Sequence, residues 1–146
     1  MKPIVLAVLL AGLAACSAPT TKPAAPPPKD ALYRELGGSD GIRRVVDVFF
    51  ARINGDARIN TLFRNVDHDD LKRLVNEQLC EATGGPCKYT GRSMEEAHSG
   101  LNLTNADFDA FVADLVSAME EVKVPKTSQK KLLALLAPMR PQIVGK

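Results

Sequence analysis

Residues 83–115 read TGGPCKYTGRSMEEAHSGLNLTNADFDAFVADL, and their two halves behave differently. From Thr104 onward the apolar residues Phe108, Phe111, Val112, Leu115, Val116 and Met119 return at intervals of three and four, one face of a helix. Thr104 offers a hydroxyl cap, with Asp107 three residues on as a weak capping partner. The first half has no period. Gly84-Gly85-Pro86 halts whatever precedes it, because proline lacks an N–H and fixes φ. A brief helix is expected over 93–98, ending on His98, one of two histidines in the chain. At helical spacing His98 shares a face with Met94 and Leu101. A long unpatterned stretch such as 82–92 inside a domain is usually functional or structurally pinned.

The neighbouring segments extend the helical reading. Ser39-Asp40-Gly41 opens a helix with Ile42, Val45, Val46, Phe49 and Ile53 on one face, ending near Asn54-Gly55. A shorter helical piece follows with Ile59, Leu62 and Phe63. Asp67, Asp69 and Asp70 then provide a cap and early negative charge for a helix carrying Leu71, Leu74, Val75, Gln78 and Leu79. A last helix from about Lys126 carries Leu132, Leu133, Leu135, Leu136 and Ile143, with Pro138 and Pro141 expected to kink or end it. No run alternates strictly, and no Asn-Gly or Asp-Gly turn lies between β-rich runs. The expected fold class is all-α.

The N-terminus carries a different message. A basic start and an apolar run over 4–15 form an export signal at 1–15, since a membrane-crossing helix needs about 20 residues. Leu13-Ala14-Ala15-Cys16 resembles a bacterial lipobox, which implies cleavage before Cys16 and lipidation of that cysteine. Ser17 resembles an outer-membrane sorting signal. The expected location is the periplasmic side of a bacterial cell envelope, with a lipid anchor in the outer membrane. The alternative is an ordinary signal cut near Ala15 that releases a soluble periplasmic protein. Residues 16–29, rich in proline and alanine, cannot bury enough surface to fold and would reach about 40 Å when extended. The domain proper is 30–146, large enough for one core. The net charge of +2 falls when Lys2 leaves with the signal, and no basic face is clustered, so nucleic acid is not an expected partner. With Cys16 assigned to lipid, Cys80 and Cys87 form an even pair, which an oxidising compartment joins as a disulfide. The alternative is two unconnected thiols.

Taken alone, His98 is open to three readings: a satisfied core residue, an acid-base catalyst or a metal ligand. Oxidised cysteines and the lack of a serine signature disfavour nucleophilic catalysis. No carboxylate or second histidine stands at zinc-ligand spacing from His98. Haem needs only one protein ligand and an apolar slot, which this composition suits. The chain has no Cys-x-x-Cys-His run for covalent attachment of haem.

A family resemblance narrows the choice. LYRELGGSDGIRRVVDVFF at 32–50, LF at 62–63, LK at 71–72 and GGPCKYTGRSMEEAHSGLNLTNADFDAFVADL at 84–115 resemble a truncated haemoglobin of the first group over 32–143, in the family's order. The resemblance implies a two-over-two helical sandwich around haem b, with His98 as the proximal iron ligand. It implies Phe63 against the haem edge and Met94, Leu103, Phe108 and Phe111 lining the pocket. Leu79 joins them, and Arg92 and Lys72 are candidates to meet the haem propionates. The distal side departs from the family. Many members have a tyrosine where this chain has Phe50 and glutamines where it has Leu71 and Val75, and some have an iron-binding histidine where it has Leu74. An apolar distal pocket is therefore expected, with Asn76 and Gln78 as polar groups only if the helix is rotated, and His68 as a cap or surface residue. The implied partners are oxygen, nitric oxide and carbon monoxide, and conversion of nitric oxide to nitrate would need an external electron donor. The alternative function is a non-catalytic haem holder, or a gas or redox sensor, in the envelope.

Overall fold

The computed structural model describes residues 26–146. The expected signal at 1–15, Cys16 and the linker up to residue 25 lie outside the described residues. Six helices follow in order: α1 (Ala31–Glu35), α2 (Gly38–Gly55), α3 (His68–Ala82), α4 (Met94–His98), α5 (Asn105–Glu121) and α6 (Lys126–Leu136). A 3-10 turn, Asn60–Phe63, lies between α2 and α3, and another, Ala137–Gln142, continues α6. Among the described residues there is no strand.

The helix boundaries follow from local chemistry. Gly37 takes φ 89°, a left-handed angle open to glycine, and α2 begins on Gly38, one residue before the expected start. The Asp67 carboxylate accepts from the N–H groups of Asp69 and Asp70 at 3.0 Å and caps α3. Thr104 and Asp107 form a complete capping box on α5, stronger than the weak partnership expected. α6 stops at Leu136, and Pro138 and Pro141 fall in the 3-10 turn beyond it. The five-residue α1 is too short to show a period and was not expected from sequence.

α2 is the central element and packs chiefly on α5 and α3; α1 rests on α2 and α6. The sealed core gathers Ile42, Val45, Val46, Phe49, Phe50 and Ile53 of α2 with Leu79 of α3, Leu115, Ala118 and Met119 of α5, and Leu132 of α6. Three apolar residues expected on inward faces are exposed. Leu101 is 56% exposed because α4 ends at His98 and Ser99 turns extended, so helical spacing no longer relates the two residues. Leu62 is exposed because Ile59 before it has φ −132°, outside the helical range. On α6 the stripe centres on Leu132, Leu133 and Leu136, which leaves Leu135 to one side, exposed.

Candidate functional site

A five-residue helix such as α4 is not stable alone in water, so its surroundings must specify it. Its first turn is closed by a capping box. The Glu96 N–H donates to Ser93 Oγ at 3.2 Å, while Glu96 Oε2 accepts from the Ser93 N–H at 3.0 Å and hydroxyl at 2.8 Å. Those bonds from Ser93 hold the Glu96 carboxyl below the usual range. The loop that leads to α4 is stitched to α3. A disulfide joins Cys80 to Cys87, with Cα atoms 5.7 Å apart. Glu81 accepts from the Tyr89 N–H at 3.2 Å. Glu77 accepts from the Thr90 hydroxyl at 2.6 Å and N–H at 3.0 Å. The Thr90 hydroxyl, ahead of Arg73, keeps the Glu77 carboxyl below its ordinary value. Gly84, with φ 86°, admits no side chain, because a Cβ there would stand 1.9 Å from the Lys29 carbonyl oxygen.

His98 closes α4 half-buried. Its Nδ1 lies 2.6 Å from the Met94 carbonyl oxygen, one turn back on the same helix. A carbonyl can only accept, so Nδ1 carries the hydrogen. In the neutral ring the lone pair is then on Nε2, which has no hydrogen-bond partner among the described residues. This is the arrangement of a metal-binding imidazole, with one nitrogen fixed by a carbonyl and the other free to ligate. No three His, Cys, Asp or Glu side chains among the described residues gather as metal ligands. A metal at His98 would therefore take its remaining ligands from a prosthetic group.

Two sets of half-buried apolar side chains are available to such a group. Phe63, Leu71, Val75 and Phe111 lie at the margin of the core, with Phe63 and Phe111 stacked at 6.4 Å between centroids. Phe50 and Leu79 are buried in the core itself. Met94, Leu103 and Phe108 are half-buried outside the core cluster. No principal helix packing joins α3 to α4 or to α5. Apolar side chains left half-buried, together with an imidazole whose second nitrogen is free, suit a flat apolar group that takes one nitrogen ligand. Haem fits the residues present.

A model of the bacterial-like globin family matches residues 31–144. Among curated relatives, the group 1 truncated haemoglobin of Tetrahymena pyriformis is 30% identical over 115 residues, which is 79% of this chain and 95% of the relative. A group 1 truncated haemoglobin of Synechocystis sp. is 37% identical over 99 residues, covering 65% of this chain and 80% of its own. The chain belongs to the group 1 truncated haemoglobins. The crystal structure of the Tetrahymena pyriformis protein in its Fe(III) form superposes with a TM-score of 0.76 at 30% identity, over 79% of this chain and 98% of that one. The all-helical fold is thus the two-over-two globin sandwich expected from sequence. Membership implies a haem and, through it, a diatomic gas as ligands.

Within this truncated haemoglobin, the charged candidates are engaged with protein groups. Lys72 Nζ lies 3.3 Å from Asp47 Oδ1 and 5.8 Å from the Phe50 ring centroid. Arg92 is exposed, with Nη1 3.5 Å from the Glu96 carbonyl oxygen. Asn76 donates to the Lys72 carbonyl of its own helix at 2.8 Å. Gln78 does cross to α4: its Nε2 is 3.2 Å from Met94 Sδ and 3.6 Å from Met139 Sδ. His68 Nε2 lies 2.9 Å from the Phe63 carbonyl oxygen, and its ring meets the edge of Phe50 at 6.1 Å. Sequence reading missed Met139, and also Arg140, whose guanidinium lies 4.2 Å from the centre of the Phe108 ring. Neither has a sequence signal, because both belong to the 3-10 turn after α6 and meet their partners through the tertiary fold.

Proposed function

We propose that this truncated haemoglobin is an exported haem b protein that binds nitric oxide and carbon monoxide in an apolar distal pocket, with His98 as the axial ligand. The observation that carries the reading is the half-buried His98 ring, with Nδ1 bonded to the Met94 carbonyl and Nε2 without a hydrogen-bond partner among the described residues. Met94, Leu103, Phe108, Phe63 and Phe111 would hold the macrocycle, and Arg92 and Lys72 would meet its propionates by releasing Glu96 and Asp47. When bound, haem supplies an iron with one position open to a diatomic gas.

The distal side is assigned to Phe50, Leu71 and Val75. They repeat the sequence spacing of the tyrosine and the two glutamines that are replaced in solved variants of the Tetrahymena pyriformis protein. None of the three side chains donates a hydrogen bond. A neutral hydrogen bond adds about 1 kcal/mol net, and more when the acceptor carries charge. Oxygen gains most from such a donor, so it leaves this pocket quickly, while carbon monoxide and nitric oxide are retained. Nitric oxide capture is the role that this preference favours; conversion to nitrate would also consume one oxygen molecule and one electron from an external donor for each nitric oxide. The Cys80–Cys87 disulfide and the lipobox-like sequence ending at Cys16 support an envelope location for the protein.

Hemin titration of the mature protein tests the reading first, with one haem per chain expected. Steady nitric oxide consumption in the presence of oxygen and a reductant supports the detoxifying role. Transfer of haem to an acceptor protein without turnover replaces it with that of a haem holder.

A further inference from the structure

The residues after the last 3-10 turn return to the proximal loop. The Gly145 N–H donates to the Leu103 carbonyl at 2.9 Å, and the Asn102 N–H donates to the Lys146 main-chain oxygen at 2.8 Å. Lys146 Nζ reaches Glu95 Oε1 on α4 at 3.2 Å. Ile143 and Val144 are half-buried. The loop between His98 and α5 has little regular structure to hold it: Gly100 has φ 80° and Asn102 φ 50°. Asparagine tolerates that left-handed angle better than most residues with a side chain. Main-chain bonds hold the loop there: the Leu101 N–H donates to the His98 carbonyl at 3.1 Å, and Asn102 is tied to Lys146. A continuous main-chain route therefore runs from Lys146 through Asn102 and Leu101 to His98. α4 finds its principal packing on the 3-10 turn Ala137–Gln142, the segment that leads into the same residues.

We infer that residues 143–146 are a positioning strap for His98, which fixes the tilt and height of the imidazole over the iron. The inference rests on the reading of His98 as the axial ligand. The strap also holds Leu103, a pocket-lining residue, through its carbonyl. The disulfide and the Glu77 and Glu81 contacts act on the entry to α4, whereas the strap's main-chain bonds act on its exit and its Lys146 side chain pairs with Glu95 in the first turn.

Gly145→Pro tests the strap in the full mature chain. Proline removes the N–H that Leu103 accepts and cannot adopt the φ of 71° that Gly145 has here. A chain shortened after Ile143 is the second variant, and Gly145→Asn, which keeps the N–H and tolerates the left-handed angle, is the conservative control. In the haem-free protein, amide exchange at Asn102 and Leu101 should accelerate about tenfold or more in both disruptive variants, with α2 and α5 unchanged. In the haem-loaded protein, the ferrous iron–histidine Raman band should shift and broaden, and carbon monoxide association should change by about threefold or more. Gly145→Asn should restore the wild-type band. Faster exchange with an unmoved band and unmoved association rate would reduce the strap to a structural tie, and unchanged exchange would show that the tie does not form. A wild-type protein with no iron–histidine band would defeat the ligand reading itself, a result distinct from a band that is present but insensitive to the strap.

Discussion

Where α2 crosses α5 the central apolar side chains are sealed, whereas α3 faces α4 and leaves its apolar side chains half open. At the first crossing Val46, Phe49, Ile53, Leu115, Ala118 and Met119 are each at most 2% exposed, and Phe49 meets Phe111 edge-on at 4.7 Å. At the second, Leu71 and Val75 of α3 and Met94 of α4 are half-buried, with only the Gln78 amide reaching across to sulfur. The two regions are written in the same amino-acid types. What separates them is the partner: the first apolar face is completed by protein, and the second is the face proposed to take haem. An apolar helix face in a sequence therefore reports that something will cover it, not what.

Substitution on the two sides should separate the regions most strongly. Phe49→Ala should lower the unfolding free energy by about 3–5 kcal/mol in the haem-free protein, the range for a large core truncation. Phe63→Ala should cost the haem-free protein less, since that ring lies at the margin of the core and is only partly buried, but should speed haem loss to an acceptor. Denaturant unfolding of both apoproteins, followed by haem-transfer kinetics, makes the comparison; equal costs in the apoproteins would erase the distinction drawn here.

The Cys80–Cys87 bridge belongs to the open region. Replacing both cysteines by serine should cost about 2–3 kcal/mol through the freed unfolded chain. The loss should appear in haem retention as well, because the loop leading to α4 is then tied to α3 by hydrogen bonds alone, among them those of Arg73, Glu77 and Glu81. Phe50→Tyr acts at a smaller scale. A hydroxyl at this position should slow oxygen dissociation about tenfold, the effect of one hydrogen bond to a partly charged acceptor, while carbon monoxide dissociation moves little. Flash photolysis and stopped-flow mixing read both rates, and equal slowing of the two gases would remove the electrostatic explanation.

The smallest effects are those of pH, and they differ in sign between the regions. Glu96 and Glu77, beside α4, have lowered pKa values in the folded protein, so their contribution is present above the ordinary carboxylate range and is lost as pH falls through the lowered values. Asp114 at the sealed crossing is raised, first by burial and then by the neighbouring Asp56, and its Oδ2 has no partner. The folded protein holds that proton more tightly, so Asp114 favours folding below the raised value and disfavours it above. Asp114→Asn should therefore be more stable than wild type at neutral pH, with the gap closing on acidification. Ser93→Ala should lower stability by about 1 kcal/mol at neutral pH, as for a lost helix cap. Its deficit should shrink, not grow, as Glu96 is protonated.

Most of this architecture was legible in the sequence because it rests on local rules. The period of α2, α3 and α5, the Asp67 cap and the Thr104–Asp107 pair are all properties of neighbours three or four residues apart. α1 escaped because five residues do not establish a period. Leu101 misled because helical spacing was carried past His98, where the helix had ended. The site was legible in part. His98 and the loop before it stand out as an interruption, and the family resemblance assigned their roles. The Nδ1 bond to Met94, the Gln78 contact with two sulfurs and the Asn102–Lys146 bridge were not legible. They depend on main-chain oxygens or on residues far apart in sequence, and neither leaves a mark in residue type.

The central claim is that His98 binds the haem iron through Nε2. Absorption spectra of the ferrous and carbon-monoxide forms of wild type and His98→Gly, with and without added imidazole, test it most directly. A five-coordinate ferrous haem that is lost in the variant and restored by imidazole is the expected result. Stoichiometric haem with the same spectrum in both proteins, indifferent to imidazole, would contradict it.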